Sequence, residues 1–149
     1  QKGSAMPRKT KLLENTLKAA KNEHDLSRYL DDLDQDESWI GFRDYFFSIP
    51  KVREQKVADI IVHSGLDRTY AYQILNGRRQ NPGKDKIIRL CLAAGLDLEE
   101  TQRALKVSGM PILYPRDKKD ATVIFAIEHG LSVISTNELL YQNGLEVLN

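Results

Sequence analysis

Apolar residues recur along most of the chain at helical spacing, separated by proline, glycine and short polar clusters. Spacing at i, i+3, i+4 and i+7 is typical of amphipathic helices. The pattern predicts helices over the following ranges: 8–20, 25–33, 38–48, 53–63, 67–76, 83–94, 97–107, 116–129 and a last helix that ends at Asn143-Gly144. No segment has the alternation expected of a strand, so the predicted fold class is all-α.

Two motifs of the capping-box type mark helix starts in the second half of the chain. In such a box, the side chain of the N-cap residue and a glutamate three residues later bond reciprocally to backbone amides. Asp97 with Glu100 is predicted to open one helix, and Ser135 with Glu138 to open the last. Gly95 is predicted to end the preceding helix as a left-handed residue.

The stretch 54–90 contains the most informative arrangement of these elements. The helix over 53–63 is followed by a short turn at 64–66, and the helix over 67–76 comes directly after it. This layout is typical of a helix-turn-helix unit, in which the second helix enters the major groove of DNA.

The turn and the second helix have the residue types that this geometry needs. Gly65 can adopt the left-handed backbone that a sharp turn requires. Asp67 can accept hydrogen bonds from the free amides of Thr69 or Tyr70 and so open the helix. Gly77 is predicted to close it.

Basic side chains are concentrated on the same stretch, although the formal net charge of the whole chain is only +1. Residues 51–89 carry nine basic side chains against four acidic ones. Residues 21–40 carry two basic side chains against seven acidic ones. A local excess of positive charge of this kind favours binding to a polyanion such as nucleic acid.

A set of apolar, turn and basic residues within 53–107 has the spacing of a known family. Its members are Ile60, Gly65, Leu66, Ile74, Asn76-Gly77, the basic turn GRRQNP, the apolar helix after it and the segment LDLEE. Together they resemble the lambda-repressor-like, or XRE, family of helix-turn-helix transcriptional regulators. The resemblance implies a five-helix DNA-binding domain, which is placed at 38–108. The helical pattern on either side predicts an N-terminal helical and acidic extension at 7–37 and a C-terminal helical pair at 109–149.

The outward positions of the second helix are candidates for contact with bases. The helical pattern turns Ala71 and Ile74 inward and leaves five residues outward: Arg68, Thr69, Tyr72, Gln73 and Asn76. The resemblance implies that the first four of these are base-reading residues. Arginine can donate two hydrogen bonds to guanine, glutamine can bind adenine, and the threonine methyl can touch thymine. The resemblance assigns the same four positions to the groove.

Four further residues are candidates for contact with DNA phosphates: Lys56, Asn76, Arg78 and Arg79. Arg78 and Arg79 follow the second helix, where the chain would pass the DNA backbone. Asn76 matches a position of the family that often binds phosphate. Such contacts orient a protein on the duplex without specifying sequence.

Three features depart from the family's usual pattern. Ile61 stands where an alanine is usual, and this larger side chain is expected to alter how closely the two helices cross. Val57 stands where a polar residue is frequent, so Gln55 or Lys56 is expected to replace it. The helix over 38–48, rich in Trp and Phe, is atypical. These departures concern docking geometry more than fold.

A protein-interaction module, such as an antitoxin-like adaptor, is the alternative function, because the fold can be retained for protein contacts alone. An enzyme is not expected, since the sequence has no glycine-rich phosphate loop and no nucleophile–histidine set. No cofactor is expected. The histidines His24, His63 and His129 have no second ligand at metal spacing, so no metal site is expected either.

The acidic segment 31–37, DDLDQDE, resembles the start of a calcium-binding loop in the spacing of its aspartates. Glu37 stands where such a loop requires glycine, and Arg43 stands where it requires a bidentate glutamate. The segment is therefore predicted to be a solvated linker. An alternative is that it shields the basic surface electrostatically.

Cysteine usage and hydropathy indicate a cytoplasmic protein. Cys91 is the single cysteine and lies in an apolar helical pattern, which predicts an inert core residue in a reducing compartment. No apolar run approaches the roughly 20 residues that cross a membrane. The N-terminus has no signal-peptide pattern, and residues 1–6, QKGSAM, resemble the remnant of an expression tag.

The predicted partner is double-stranded DNA, and the protein is expected to act as a homodimer. Members of the resembled family usually bind two-fold-symmetric sites as dimers. The apolar pair at 116–143 is the candidate for completing the core and for forming the dimer interface. A small-molecule effector is left open.

Overall fold

The computed structural model describes residues 10–34, 41–79 and 81–149. These residues form ten helices and no strand, which confirms the all-α fold class. The helices are α1 (Thr10–Ala19), α2 (Glu23–Asp34), α3 (Phe42–Ser48), α4 (Pro50–Arg53), α5 (Val57–Ser64), α6 (Arg68–Leu75), α7 (Lys84–Ala94), α8 (Leu98–Val107), α9 (Lys118–Glu128) and α10 (Val133–Gln142). None of them is long and apolar enough to span a membrane.

The helices fall into two compact units, α1–α2 and α3–α10. The first is a helical pair in which the side chain of Asn22 accepts a hydrogen bond from the amide of Asp25, at the start of α2 (2.9 Å). The expectations for the tag-like residues 1–6, for residues 35–37 of the acidic segment and for Trp39 lie outside the described residues, whereas residues 31–34 of that segment belong to α2 rather than to a linker.

The second unit is built around one hydrophobic core to which every helix from α3 to α10 contributes. Helix α7 packs against α5, α8 and α10 and provides Ile87, Leu90 and Cys91, all fully buried. Residues Val123, Leu140 and Leu148 belong to the same core cluster. The C-terminal segment is therefore packed into the same compact unit as the helices before it.

The prediction of a single helix over 53–63 is wrong at its N-terminal end. The structure has two helices there, α4 and α5, with Glu54–Lys56 between them. Pro50 occupies the first turn of α4, where a proline is favourable because it has no amide to leave unbonded and its φ angle suits a helix. Proline therefore starts a second helix here, two residues after α3 ends.

Of the two predicted capping boxes, one is confirmed and one is wrong. The Asp97 carboxylate accepts from the amide of Glu100 (2.8 Å), whose carboxylate accepts from the amide of Asp97 (2.9 Å). At the last helix the N-cap is Ser132, whose hydroxyl accepts from the amide of Ser135 (3.0 Å). The helix begins earlier than predicted because Val133 is buried and anchors its first turn in the core.

A buried carboxylate holds the loop between α8 and α9. Asp120 accepts hydrogen bonds from Lys84 Nζ (3.0 Å) and from the amide of Tyr114 (2.9 Å). The Gln102 side chain adds a second tie, accepting from the amide of Leu113 (2.7 Å) and donating to its carbonyl (3.0 Å). These bonds satisfy polar groups that would otherwise be costly to bury.

Candidate nucleic-acid interface

The turn between α5 and α6 has the predicted left-handed glycine and a second anchor that sequence reasoning missed. Gly65 has φ 70°. The fully buried Ser64 hydroxyl donates to the carbonyl of Ile61 (2.6 Å) and accepts from the amide of Leu66 (3.1 Å). The backbone groups of the turn are therefore bonded on both sides of the glycine, which fixes the angle between the two helices.

Helix α6 begins and ends within a residue of the predicted range 67–76. The Asp67 carboxylate accepts from the amide of Tyr70 (3.0 Å), which confirms Asp67 as the N-cap. Ala71 and Ile74 are buried, as the helical pattern predicts, so the opposite side of α6 faces outward.

The four candidate base-reading residues all lie on α6 but differ in exposure. Arg68 and Thr69 are exposed, whereas Tyr72 and Gln73 are half-buried. Tyr72 also packs against the core. The guanidinium carbon of Arg68 lies 5.7 Å from the centroid of the Tyr72 ring, within the range of a cation–π contact. The outward surface thus carries an arginine whose orientation is supported by a partly fixed aromatic ring.

The chain after α6 is held close to the helix and directs two arginines outward. The side-chain oxygen of Asn76 accepts from the amide of Arg78 (2.9 Å), and the amide of Arg79 donates to the carbonyl of Gln73 (2.9 Å). Gly77 has φ 82°, in the left-handed region. Both arginine side chains are exposed. Because Asn76 uses its side-chain oxygen Oδ1 in this bond, its side-chain nitrogen Nδ2 can donate to a phosphate.

Lys56, the remaining candidate for phosphate contact, lies at the start of the helix that precedes α6. It is the N-cap residue of α5 and is exposed. Its ammonium forms no ion pair with a described carboxylate. The predicted phosphate-contact residues therefore lie at two places in the helix-turn-helix, the start of α5 and the connection after α6.

Four basic side chains near α6 have no carboxylate of the described residues within ion-pair distance, whereas Arg43 lies 3.5 Å from Asp44 Oδ1 and three lysines of this unit have acidic partners. Lys84, Lys119 and Lys51 each form an ion pair, with Asp120, Asp85 and Glu100 respectively. In the described part of the chain, Arg68, Arg78, Arg79 and Lys86 form none. Their charge is left to attract an anionic ligand.

Arg43 is a further residue of this region that sequence reasoning did not assign to it. Its Nε donates to the carbonyl of Leu75 at the end of α6 (3.2 Å), 32 residues away in sequence. The side chain crosses Gly77 so closely that a Cβ atom there would lie 3.2 Å from Arg43 Cδ. A cation at this position also interacts favourably with the C-terminal end of the helix dipole.

Replacing Arg43 with methionine is expected to lower the free energy of unfolding by about 1 kcal/mol, the usual contribution of one hydrogen bond. The change removes the donor to Leu75 and keeps most of the aliphatic stem. Urea unfolding of the full chain measures it. Arg103→Met on α8, also an exposed arginine, is the control; an equal effect of both changes would show that the bond to Leu75 contributes nothing.

Two reactive side chains outside this interface, Cys91 and His129, are engaged in the fold. Burial raises the pKa of the Cys91 thiol to about 12, so the thiolate is not populated near neutral pH. His129 bonds through Nδ1 to the carbonyl of Phe125 (2.9 Å) and stacks on its ring. No cluster of His, Cys, Asp or Glu among the described residues has the arrangement of a metal site.

The eight predicted site residues therefore lie on α6, in the connection that follows it and at the start of α5. No model of a protein family matches this chain, and no curated protein or solved structure matches it either. Function is accordingly inferred from the residues and the geometry of the chain itself.

Proposed function

We propose that this protein is a sequence-specific, double-stranded-DNA-binding transcriptional regulator of the lambda-repressor-like (XRE) type. The observation that carries the proposal is the pairing of a helix-turn-helix with basic side chains that have no ion-pair partner among the described residues. In this proposal the five helices of such a domain are, in order along the chain, α3, α5, α6, α7 and α8, with α4 as an additional turn.

In the proposed complex, α6 lies in the major groove with its outward side toward the base edges. Arg68 donates two hydrogen bonds to a guanine, and stacking on Tyr72 limits the number of side-chain conformers it must give up on binding. Thr69 and Gln73 contact the neighbouring bases. Because Gln73 is half-buried, only its terminal amide reaches the groove.

Backbone contacts fix the position of α6 along the duplex. Arg78 and Arg79 grip phosphates beside the end of the helix, Asn76 donates through its amide nitrogen, and Lys56 contacts the backbone at the start of α5. Contacts of this kind release condensed counterions, so the affinity falls steeply as salt rises.

One unit of this size offers few base contacts, so the proposed binding species is a homodimer on a two-fold-symmetric site. The α9–α10 pair is the proposed interface. Ile134 and Tyr141 on α10 are 74% and 79% exposed, respectively. They are seven residues apart and so lie on the same side of the helix, where the second copy would cover them. A reducing, cytoplasmic setting suits the single buried thiol.

Two substitutions test the division between base and phosphate contacts. Arg68→Ala should weaken binding to the preferred site by about 1–3 kcal/mol and relax selection at one base pair. Arg78→Ala should weaken binding to all sequences alike and reduce the slope of log affinity against log salt by about one. Selection from a random DNA pool defines the site, and fluorescence anisotropy over a salt series measures both effects.

Lys106→Ala, a change at an exposed lysine on α8, is the control and should leave site selection unaltered. Wild-type protein without salt-dependent affinity for any duplex would refute the proposal. In that case a stable protein partner, recovered with wild-type protein and lost on changing Ile134 or Tyr141, would support the adaptor function instead.

A further inference from the structure

One aromatic ring beside the proposed interface has two cations next to it. The guanidinium carbon of Arg79 lies 4.8 Å from the centroid of the Tyr70 ring, and the ammonium of Lys86 lies 5.9 Å from it. Both distances are within the range of a cation–π interaction. The ring thus brings together one charge from the connection after α6 and one from the first turn of α7.

The ring is held by the fold rather than by the cations. Tyr70 is half-buried and packs against the hydrophobic core, and its amide is bonded to the N-cap carboxylate of Asp67. The backbone of Arg79 is fixed by its bond to Gln73, and Lys86 lies in regular helix. Two like charges are therefore held against the same ring by side chains that extend from rigid elements.

No carboxylate of the described chain forms an ion pair with either cation. The acidic residues nearest in sequence are engaged elsewhere. Asp67 caps α6, whereas Asp85 pairs with Lys119 Nζ (3.0 Å) and accepts from the amide of Asn149 (2.9 Å). Like charges repel, so an anion between them or beside them would lower the energy of this arrangement.

We infer that Tyr70, Arg79 and Lys86 form a clamp for a phosphodiester of the DNA backbone, in which the ring orients the two cations toward the anion. The inference rests on the proposed function and adds Tyr70 and Lys86 to its contacts. The clamp extends the phosphate contacts from the connection after α6 onto α7. It fixes the duplex from the side without selecting bases.

Lys86→Gln is the first test, because it removes the charge and keeps a polar side chain that is only one bond shorter. The slope of log affinity against log salt should fall by about one. The affinity near 0.15 M salt should fall roughly fivefold, since each neutralised phosphate contributes about 0.9 to the slope. The loss should be the same for the preferred site and for an unrelated duplex. Lys106→Gln is the charge-matched control and should leave the slope unchanged.

Substitutions of Tyr70 test the role of the ring without changing the charge of the clamp. Tyr70→Phe keeps the aromatic face and should bind DNA within about twofold of wild type, whereas Tyr70→Leu should bind about two- to fivefold more weakly with an unaltered salt slope. In the double variant with Lys86→Gln, the losses should be less than multiplicative, because the two side chains act together. Circular dichroism and urea unfolding establish that each variant is folded.

Three outcomes of these binding experiments distinguish the clamp from the proposed function as a whole. A reduced slope for Lys86→Gln with non-multiplicative losses supports the clamp. Wild-type salt-dependent binding that Lys86→Gln and Tyr70→Leu leave intact overturns the clamp while DNA binding by the protein stands. Absence of salt-dependent binding by the wild type overturns the proposed function and the clamp together.

Discussion

Replacing Leu148 with alanine is expected to lower the free energy of unfolding by about 2–5 kcal/mol, the range for truncating a buried leucine. Leu148 is 1% exposed and belongs to the same core cluster as Ile74 of α6 and Ile87 of α7. Its removal leaves a cavity in the core of this unit, and the surrounding rigid helices can close only part of it.

Polar bonds hold the segment around Leu148 against the unit. The amide of Leu148 donates to the side-chain oxygen of Asn137 (2.7 Å), and Lys119 Nζ donates to the carbonyl of Val147 (3.4 Å). These two bonds hold the peptide before the leucine, and the carbonyl of Leu148 accepts from Arg89 Nη2 (2.8 Å) on its other side, so the segment has little freedom to shift and fill the cavity. The cost is therefore expected in the upper part of the range.

Val147→Ala is the matched control, one position away in sequence. Val147 is 43% exposed, and substitutions at such surface positions usually change stability by less than about 0.5 kcal/mol. Chemical unfolding of both variants separates burial from any general effect of altering the segment. Similar small effects at both positions would show that the segment is not docked in solution.

The parts of the fold that sequence predicted are those fixed by local chemistry. The bounds of α6, the N-cap at Asp67 and the left-handed glycines Gly65 and Gly95 each depend on residues within one or two helical turns. The same holds for the box at Asp97 and Glu100. Such signals act through the backbone amides nearest to them, so no knowledge of the tertiary fold is needed.

Local signals failed where two of them competed. Ser135 with Glu138 has the spacing of a capping box, but Ser132 lies three residues earlier and also provides a hydroxyl. Ser132 is the N-cap because Val133, which lies between the two serines, is buried in the core. That burial is a tertiary effect, which the local sequence does not reveal. Proline was ambiguous in the same way, since Pro50 both ends α3 and begins α4.

The contacts that position the candidate site join residues far apart in sequence. Arg43 bonds to α6 across 32 residues, and the two cations at Tyr70 come from different elements. The sequence around Arg43 does not indicate which distant backbone carbonyl its guanidinium will bond. Ile61, noted for its size at a position where alanine is usual in the resembled family, is buried in the core cluster, so it also acts through packing.

Replacing Arg89 with leucine is expected to lower the free energy of unfolding by about 3 kcal/mol, because buried hydrogen bonds to a charged group contribute about 1.5–3 kcal/mol each. The guanidinium donates to the carbonyl of Ser64 (2.9 Å), to the carbonyl of Leu148 (2.8 Å) and to the backbone oxygen of Asn149 (2.8 Å). The first two bonds are partly buried and the third is exposed. When the arginine is removed, water can take over the third bond, whereas the loss of the other two destabilises the fold.

The bond to Ser64 connects this effect to the proposed DNA-binding surface. Ser64 ends α5, and the next residue, Gly65, makes the turn into α6 so close to Arg89 that a Cβ atom there would lie 2.9 Å from Nη1. Without the arginine, the last carbonyl of α5 loses its partner and the turn should open more often. Amide hydrogen exchange in residues 61–67 should therefore increase by more than exchange in α8.

Arg89→Lys separates charge from geometry. A lysine keeps the charge but has a compact ammonium in place of the planar fork that reaches three acceptors in different directions. It should recover less than half of the lost stability and leave exchange at the turn raised. Full recovery by lysine would mean that the charge alone matters. Unchanged stability and exchange in Arg89→Leu would mean that the link between the turn and the C-terminal segment does not hold the helix-turn-helix in place.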